Sequence, residues 1–207
     1  MASVYDLKPR FQGILRPMVG GLVAAGITPN QVTVAAAAGS IAVGAAVTQA
    51  GRLRALLLLL PLWLLARMAL NAIDGMMARE HGLATRTGAV LNELGDVISD
   101  LALYLPLATL APEALWPVVA FSIGAALTEF SGLLGLAIGA TRRYEGPMGK
   151  SDRALLVGLV GLATFFLPRV ASVWSWIFGL GFGLSVITCW NRIHRALGQS
   201  DATGATR

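Results

Sequence analysis

The sequence predicts an all-α, polytopic membrane protein, with six transmembrane helices preceded by an N-terminal amphipathic surface helix. Three observations carry that reading. Hydrophobic residues make up 56% of the chain and charged residues only 13%, and the mean hydropathy is +0.69, well above that of an ordinary soluble domain. Windows of about 20 mostly apolar residues, the length needed to cross the hydrocarbon at about 1.5 Å rise per residue, fall near 31–50, 53–78, 87–110, 114–140, 152–168 and 171–193. The loops between them are short, so 31–193 reads as one six-helix bundle within a single membrane domain, 1–207.

Before the first span, Phe11, Ile14, Leu15, Met18 and Leu22 recur at helical spacing with Lys8, Arg10 and Arg16 between them. That pattern, over 4–26, predicts a helix lying on the membrane surface. Pro9 suits its first turns, and Gly26-Ile27-Thr28-Pro29-Asn30 breaks it and turns the chain into the bilayer. In the second and third spans Pro61 and Pro106 are expected to kink the helices. Trp63, Trp116, Trp174, Trp176 and Trp190 fall toward span ends, as interfacial anchors do. The stretch 198–207, rich in Gly, Ser and Thr, reads as a flexible, solvated tail. Cys189, alone, forms no internal disulfide, and the first residues lack the layout of a cleavable signal, so the start is expected to be kept.

Charge bias sets the expected orientation, because cytoplasmic loops carry the excess of Lys and Arg. With six spans, Lys8, Arg10, Arg16, Arg79, Arg86, Arg142, Arg143, Lys150, Arg153, Arg192, Arg195 and Arg207 fall on one side, against Arg52, Arg54 and Arg169 on the other. Both termini are therefore expected to be cytoplasmic, in a bacterial inner membrane. The net charge of +5 is one-sided and suits lipid head groups or a phosphorylated substrate. No basic, aromatic-interleaved groove for nucleic acid is visible.

The apolar spans are interrupted where chemistry is expected. On the second, Arg67, Asn71, Asp74 and Ala78 step by four, three and four residues and share one helical face; on the third, Asn92, Asp96 and Asp100 step by four, with Glu93 adjoining. The short loop between these spans predicts antiparallel neighbours whose polar stripes face each other. A carboxylate at the bilayer centre costs roughly 2.5 kcal/mol or more without a partner, metal or water-filled cavity, so a polar chamber is implied. Oxygen donors from facing helices suit Mg²⁺ or Mn²⁺, which share their sites with substrate phosphates. Mutual ion pairing is the competing account, with Arg67 set against Glu129 or Asp74. Glu129 is the one acid inside the fourth span.

The run Asn71-Ala72-Ile73-Asp74-Gly75-Met76-Met77-Ala78-Arg79, eight residues to Gly88, then Asn92 and Asp96, resembles the signature DxxDGxxAR, eight spacers, GxxxDxxxD. That signature belongs to the CDP-alcohol phosphotransferase (CDP-alcohol phosphatidyltransferase) family. The layout is similar as well: a surface helix, a Gly-Ile-Thr-Pro-Asn lead into the first of six spans, and Gly146-Pro147-Met148-Gly149-Lys150 with Arg153 before the fifth. Asn71 and Asn92 stand where the family pattern has its first and third aspartates. Each offers one neutral carbonyl oxygen in place of a carboxylate, so weaker metal binding is expected. Glu93 and Asp100 are candidates to restore the missing charge.

The resemblance implies an integral membrane transferase of phospholipid synthesis. It would move a phosphoalcohol group from a CDP-alcohol such as CDP-diacylglycerol to an acceptor hydroxyl, releasing CMP. Mg²⁺ or Mn²⁺ would be held by Asn71, Asp74, Asn92 and Asp96, with Glu93 and Asp100 as further candidates. Asp96 would also serve as general base. Gly75, Ala78 and Gly88 would let the CDP-alcohol approach closely, and Arg79 would pair with its phosphate. Arg142, Arg143, Lys150 and Arg153 would hold a phosphate of the acceptor or a lipid head group. A homodimer is the family expectation. Two alternatives remain at this level: a transporter, disfavoured because no inverted repeat is visible, and a silent relative that binds nucleotide lipid or a membrane partner.

Overall fold

The computed structural model describes residues 4–204. Among the charges counted above, the side chains of Lys8 and Arg10, and all of Arg207, lie outside the described residues. The described chain is helical throughout: α1 Val4–Ala24, α2 Pro29–Val47, α3 Leu59–Glu80, α4 Arg86–Tyr104, α5 Leu115–Ala137, α6 Lys150–Phe166 and α7 Trp174–Gly204, linked by short turns and 3₁₀ segments. α7 thus runs on through the stretch expected as a tail, as far as Gly204.

Local signals explain the element starts. Thr28 caps α2 in a reciprocal box, its hydroxyl accepting from the Gln31 backbone N–H and its own N–H donating to the Gln31 side chain, with Pro29 in the first turn. Gly26, at φ 76°, makes the left-handed turn that ends α1. Thr85 caps α4 by accepting from the N–H of Gly88 at 2.9 Å. The bend after α4 is a 3₁₀ segment, Leu105–Thr109, containing Pro106.

Four segments are long and apolar enough to cross a membrane: Pro29–Val47, Arg54–Glu80, Pro112–Ala137 and Pro168–Gln199. The other two bundle helices are more charged or shorter. α4 contains Arg86, Glu93, Asp96 and Asp100, and α6 has 17 residues and begins Lys150-Ser151-Asp152-Arg153. The outer surface is apolar, with Leu62, Leu65, Leu180, Val186 and Ile187 exposed, as a hydrocarbon solvent permits.

The helices neighbour one another in the order α6, α3, α2, α4, α5, α7, with α1 against α3. This corrects the expectation that the second and third spans pack directly together. α2 sits against both, and α3 and α4 scarcely approach each other. The reason is size: α2 is mostly Ala, Gly and Val, and small residues let backbones close in. A Cβ on Gly44 would collide with the carbonyl oxygen of Ala102, and one on Gly95 would lie 3.4 Å from Thr33 Cγ2. With α2 as the wedge, the ends of α3 and α4 stay apart and leave room between their polar faces.

At the opposite end of these helices the bundle is filled by aromatic and apolar side chains. Tyr104, Phe121, Phe178 and Trp174 stack in sequence, with ring centroids 5.5, 5.4 and 5.9 Å apart. Trp174 is buried and its Nε1 donates to Thr164 Oγ1 at 3.1 Å; Trp63 Nε1 donates to Ser40 Oγ at 2.9 Å. Trp174 is thus a core residue and Trp63 is partly buried against the core, while Trp116, Trp176 and Trp190 are exposed.

Candidate active site

The cap of α2 aims its first turn at the end of α3. Thr33 Oγ1 donates to Asp74 Oδ2 at 2.8 Å and also reaches the Pro29 carbonyl at 3.1 Å, so the Asp74 carboxylate is held by the neighbouring helix. Around it opens a cavity of about 290 Å³, walled by Asn71, Asp74, Gly75, Ala78 and Arg79 of α3, Gly88 and Asn92 of α4, and Asn30 and Thr33 of α2. The glycines here make space: a Cβ on Gly75 would stand 3.0 Å from Arg79 Nη2, and one on Gly88 would stand 2.6 Å from Asn30 Oδ1. Arg79 makes no side-chain hydrogen bond or salt bridge among the described residues, and only the adjoining Glu80 acts on it electrostatically.

A second cavity, of about 510 Å³, is lined by Asn71, Asn92 and Asp96, by Glu129 and Arg142, and by Gly149, Lys150 and Asp152 at the start of α6. Asn71 and Asn92 thus belong to both chambers. Asp96 and Lys150 lie within electrostatic range of Asp74. Lys150 Nζ is ion-paired with Asp96 Oδ1, and Arg67 Nη2 reaches the same oxygen at 3.3 Å. Asp96 Oδ2 has no protein partner among the described residues.

Behind these walls lies a buried ionic network. Arg67 Nη1 donates to Asp100 Oδ1 at 2.5 Å, and Arg153 Nε and Nη2 donate to Asp100 Oδ2 at 3.1 and 2.9 Å. Arg153 continues to Glu129 Oε1 at 2.7 Å, and Arg142 bridges Glu129 Oε2, at 3.1 Å, and Glu93. The alternative pairing of Arg67 with Glu129 or Asp74 is corrected: its partners are Asp96 and Asp100, one turn apart on α4. Both oxygens of Asp100 are occupied, and Asp100 lines neither chamber. Glu93 is turned to Arg142.

The four basic residues singled out in the loop before α6 and in its first turn therefore separate. Arg142 and Lys150 line the larger chamber. Arg153 is fully buried in the network, and Arg143 points to Glu145, to the Arg195 carbonyl and, at 2.6 Å, to Gln199. In that loop, burial pushes the Glu145 carboxyl up, but backbone N–H groups, its own and that of Tyr144, with Arg143 and Arg195, outweigh this and hold it below the usual carboxylate range.

Sequence reasoning passed over Thr33, Asn30 and Arg192 as site residues. The Thr28-x-x-Gln31 capping box was readable and places Asn30 and Thr33 in the first helical turns. Arg192 had no such signal: it lies in the second half of α7 and donates to the backbone carbonyls of Thr128, Glu145 and Tyr144.

The donor set was tested for a divalent ion. Among the described residues no cluster of three or more His, Cys, Asp or Glu forms a ready-made cage. Asp74 with the amide oxygens of Asn71 and Asn92 around one chamber nonetheless supplies hard oxygen donors. That fits the habit of Mg²⁺ and Mn²⁺ of taking one or two carboxylates and completing their shell with substrate phosphates and water.

A helical membrane bundle that keeps oxygen donors and an uncommitted arginine around one chamber, and a carboxylate–lysine pair in the next, defines a class: phosphoryl-group transferases working within the bilayer. The chain belongs to the CDP-alcohol phosphatidyltransferase family, which matches residues 26–187. It is 45% identical over 194 residues to the Escherichia coli (strain K12) inner membrane protein YnbA, covering 93% of this chain and 94% of that one. Its fold is similar to that of Mycobacterium tuberculosis phosphatidylinositol phosphate synthase in complex with manganese and citrate, with a TM-score of 0.73 and 26% identity over 87% of this chain and 88% of that one. The same synthase with CDP-DAG bound gives a TM-score of 0.73 at 25% identity, covering 87% and 92%.

Proposed function

We propose that the smaller chamber receives the CDP end of a CDP-alcohol, with CDP-diacylglycerol as the donor, and that the larger one receives the acceptor alcohol. The observation that carries this reading is the shared wall: Asn71 and Asn92 line both cavities, so a phosphorus between them is reachable from either side. Arg79, without a salt bridge or side-chain hydrogen bond among the described residues, pairs with a donor phosphate through its planar fork. Gly75, Ala78 and Gly88 leave the width for the nucleotide.

Asp74, with Asn71, Asn92 and the nearby Asp96, would hold Mg²⁺ or Mn²⁺, which when bound neutralises charge on the diphosphate and on the departing CMP. Arg67 and Lys150 both hold Oδ1 of Asp96, so the carboxylate cannot rotate freely. That leaves Oδ2 to accept the proton of the attacking hydroxyl. The hydroxyl oxygen then bonds to phosphorus as the bond to the CMP oxygen breaks, in line with it.

The rest of the proposal follows the charge pattern. Six spans cross a bacterial inner membrane, α1 lies on its surface among lipid head groups, both termini are cytoplasmic, and the protein works as a homodimer. Supporting the first point, the acids of α4, Glu93, Asp96 and Asp100, are paired inside the bundle, and α6, of 17 residues, has Arg153 buried there. The test is to incubate purified protein with CDP-diacylglycerol, Mn²⁺ and a panel of alcohols and to measure CMP. Release that disappears in Asp96→Ala supports the enzyme; absence of CMP with every alcohol leaves the silent relative.

A further inference from the structure

We propose that the acceptor is an alcohol of zero net charge, a neutral polyol or a zwitterion, and not a phosphorylated alcohol. This rests on the transferase reading above and names the substrate class of its second chamber. Three cations line that chamber, Arg142, Lys150 and Arg192, and three carboxylates, Asp96, Glu129 and Asp152, so its formal charge is zero.

Each cation is also committed. Lys150 is paired with Asp96. Arg142 lies between Glu129 and Glu93. Arg192 spends its donors on backbone carbonyls: Nε on Glu145 at 3.2 Å, Nη2 on Tyr144 at 3.3 Å, and Nη1 on Thr128. An incoming phosphate would have to share Arg142 or Lys150 with the carboxylate already paired to it and would face that carboxylate closely, in a place where charges are poorly screened. Hydroxyl groups ask for less, because they both donate to carboxylate oxygens and accept from partly used N–H groups. The contrast with the smaller chamber is direct: there Arg79 is uncommitted, as an anion-binding group should be.

The acids are what exclude the phosphate, so removing one should admit it. Glu129→Gln would release one partner of Arg142 and leave the chamber with one excess positive charge. Asp152→Asn leaves the same excess charge from an exposed position, while an amide oxygen can still accept from the Gly149 N–H, so it serves if Glu129→Gln does not fold.

The experiment compares CMP release from CDP-diacylglycerol with glycerol, myo-inositol and serine against glycerol 3-phosphate and myo-inositol 1-phosphate, alongside a measurement of CDP-diacylglycerol binding. The expected result is a preference of at least tenfold in kcat/KM for an acceptor without net charge, and a tenfold or greater move toward the phosphorylated acceptors in Glu129→Gln or Asp152→Asn. Faster release with a phosphorylated alcohol in the unaltered protein, or a ratio that neither variant moves, overturns the inference and leaves the transferase reading standing. Donor binding without CMP release for any of the five alcohols overturns both.

Discussion

Arg153 directs two nitrogens, Nε and Nη2, at a single oxygen of Asp100, while Arg67 takes the other oxygen from the opposite side. Asp100 is thereby the junction between α3, α4 and α6, and Glu129 extends the junction to α5. Truncating one member leaves the others charged and buried. Arg153→Ala is expected to destabilise the protein by about 3–5 kcal/mol, seen as a lowered unfolding midpoint in detergent. A midpoint unchanged from that of the parent would remove the network from the list of forces holding α6 to the bundle.

Asp96 differs from Asp100 in keeping one oxygen without a protein partner. Asp96→Asn preserves the shape and removes the proton acceptor, so kcat for CMP release should fall by about 10²- to 10⁴-fold while CDP-diacylglycerol still binds. Retained turnover would assign the base elsewhere.

Asn71 and Asn92 are expected to act as weak, neutral oxygen donors. Converting both to Asp adds two negative charges around the smaller chamber, and the affinity for Mn²⁺, titrated by electron paramagnetic resonance without donor lipid, should rise by an order of magnitude or more, roughly 1.4 kcal/mol for each tenfold. If the affinity stays the same, neither oxygen touches the ion.

Gly75 gives Arg79 its place. A Cβ there would meet Nη2 and Nη1 at 3.0 and 3.1 Å, and the flexible guanidinium would move, with little effect on the fold. Gly75→Ala should therefore raise KM for the CDP-alcohol roughly fivefold, the loss of about 1 kcal/mol of hydrogen bonding, with an unfolding midpoint close to the parent's. A lowered midpoint with unchanged KM would make Gly75 a packing residue.

Much of this protein could be read from residue order. Hydropathy and helical period located the helices, the run from Gly26 to Asn30 marked the turn into the first span, and the spacing from Asn71 to Asp96 carried the family. These are local properties, set by neighbours within a few turns of one helix. The partners of Arg67, the burial of Trp174, the division of Arg142 and Lys150 from Arg143 and Arg153, and the wedge of α2 between α3 and α4 were settled by tertiary structure alone. Each depends on how far two helices, dozens of residues apart in the chain, can approach, and that distance is decided by side-chain volume at the contact and by which charge finds its counterion first in a medium that leaves none unpaired cheaply.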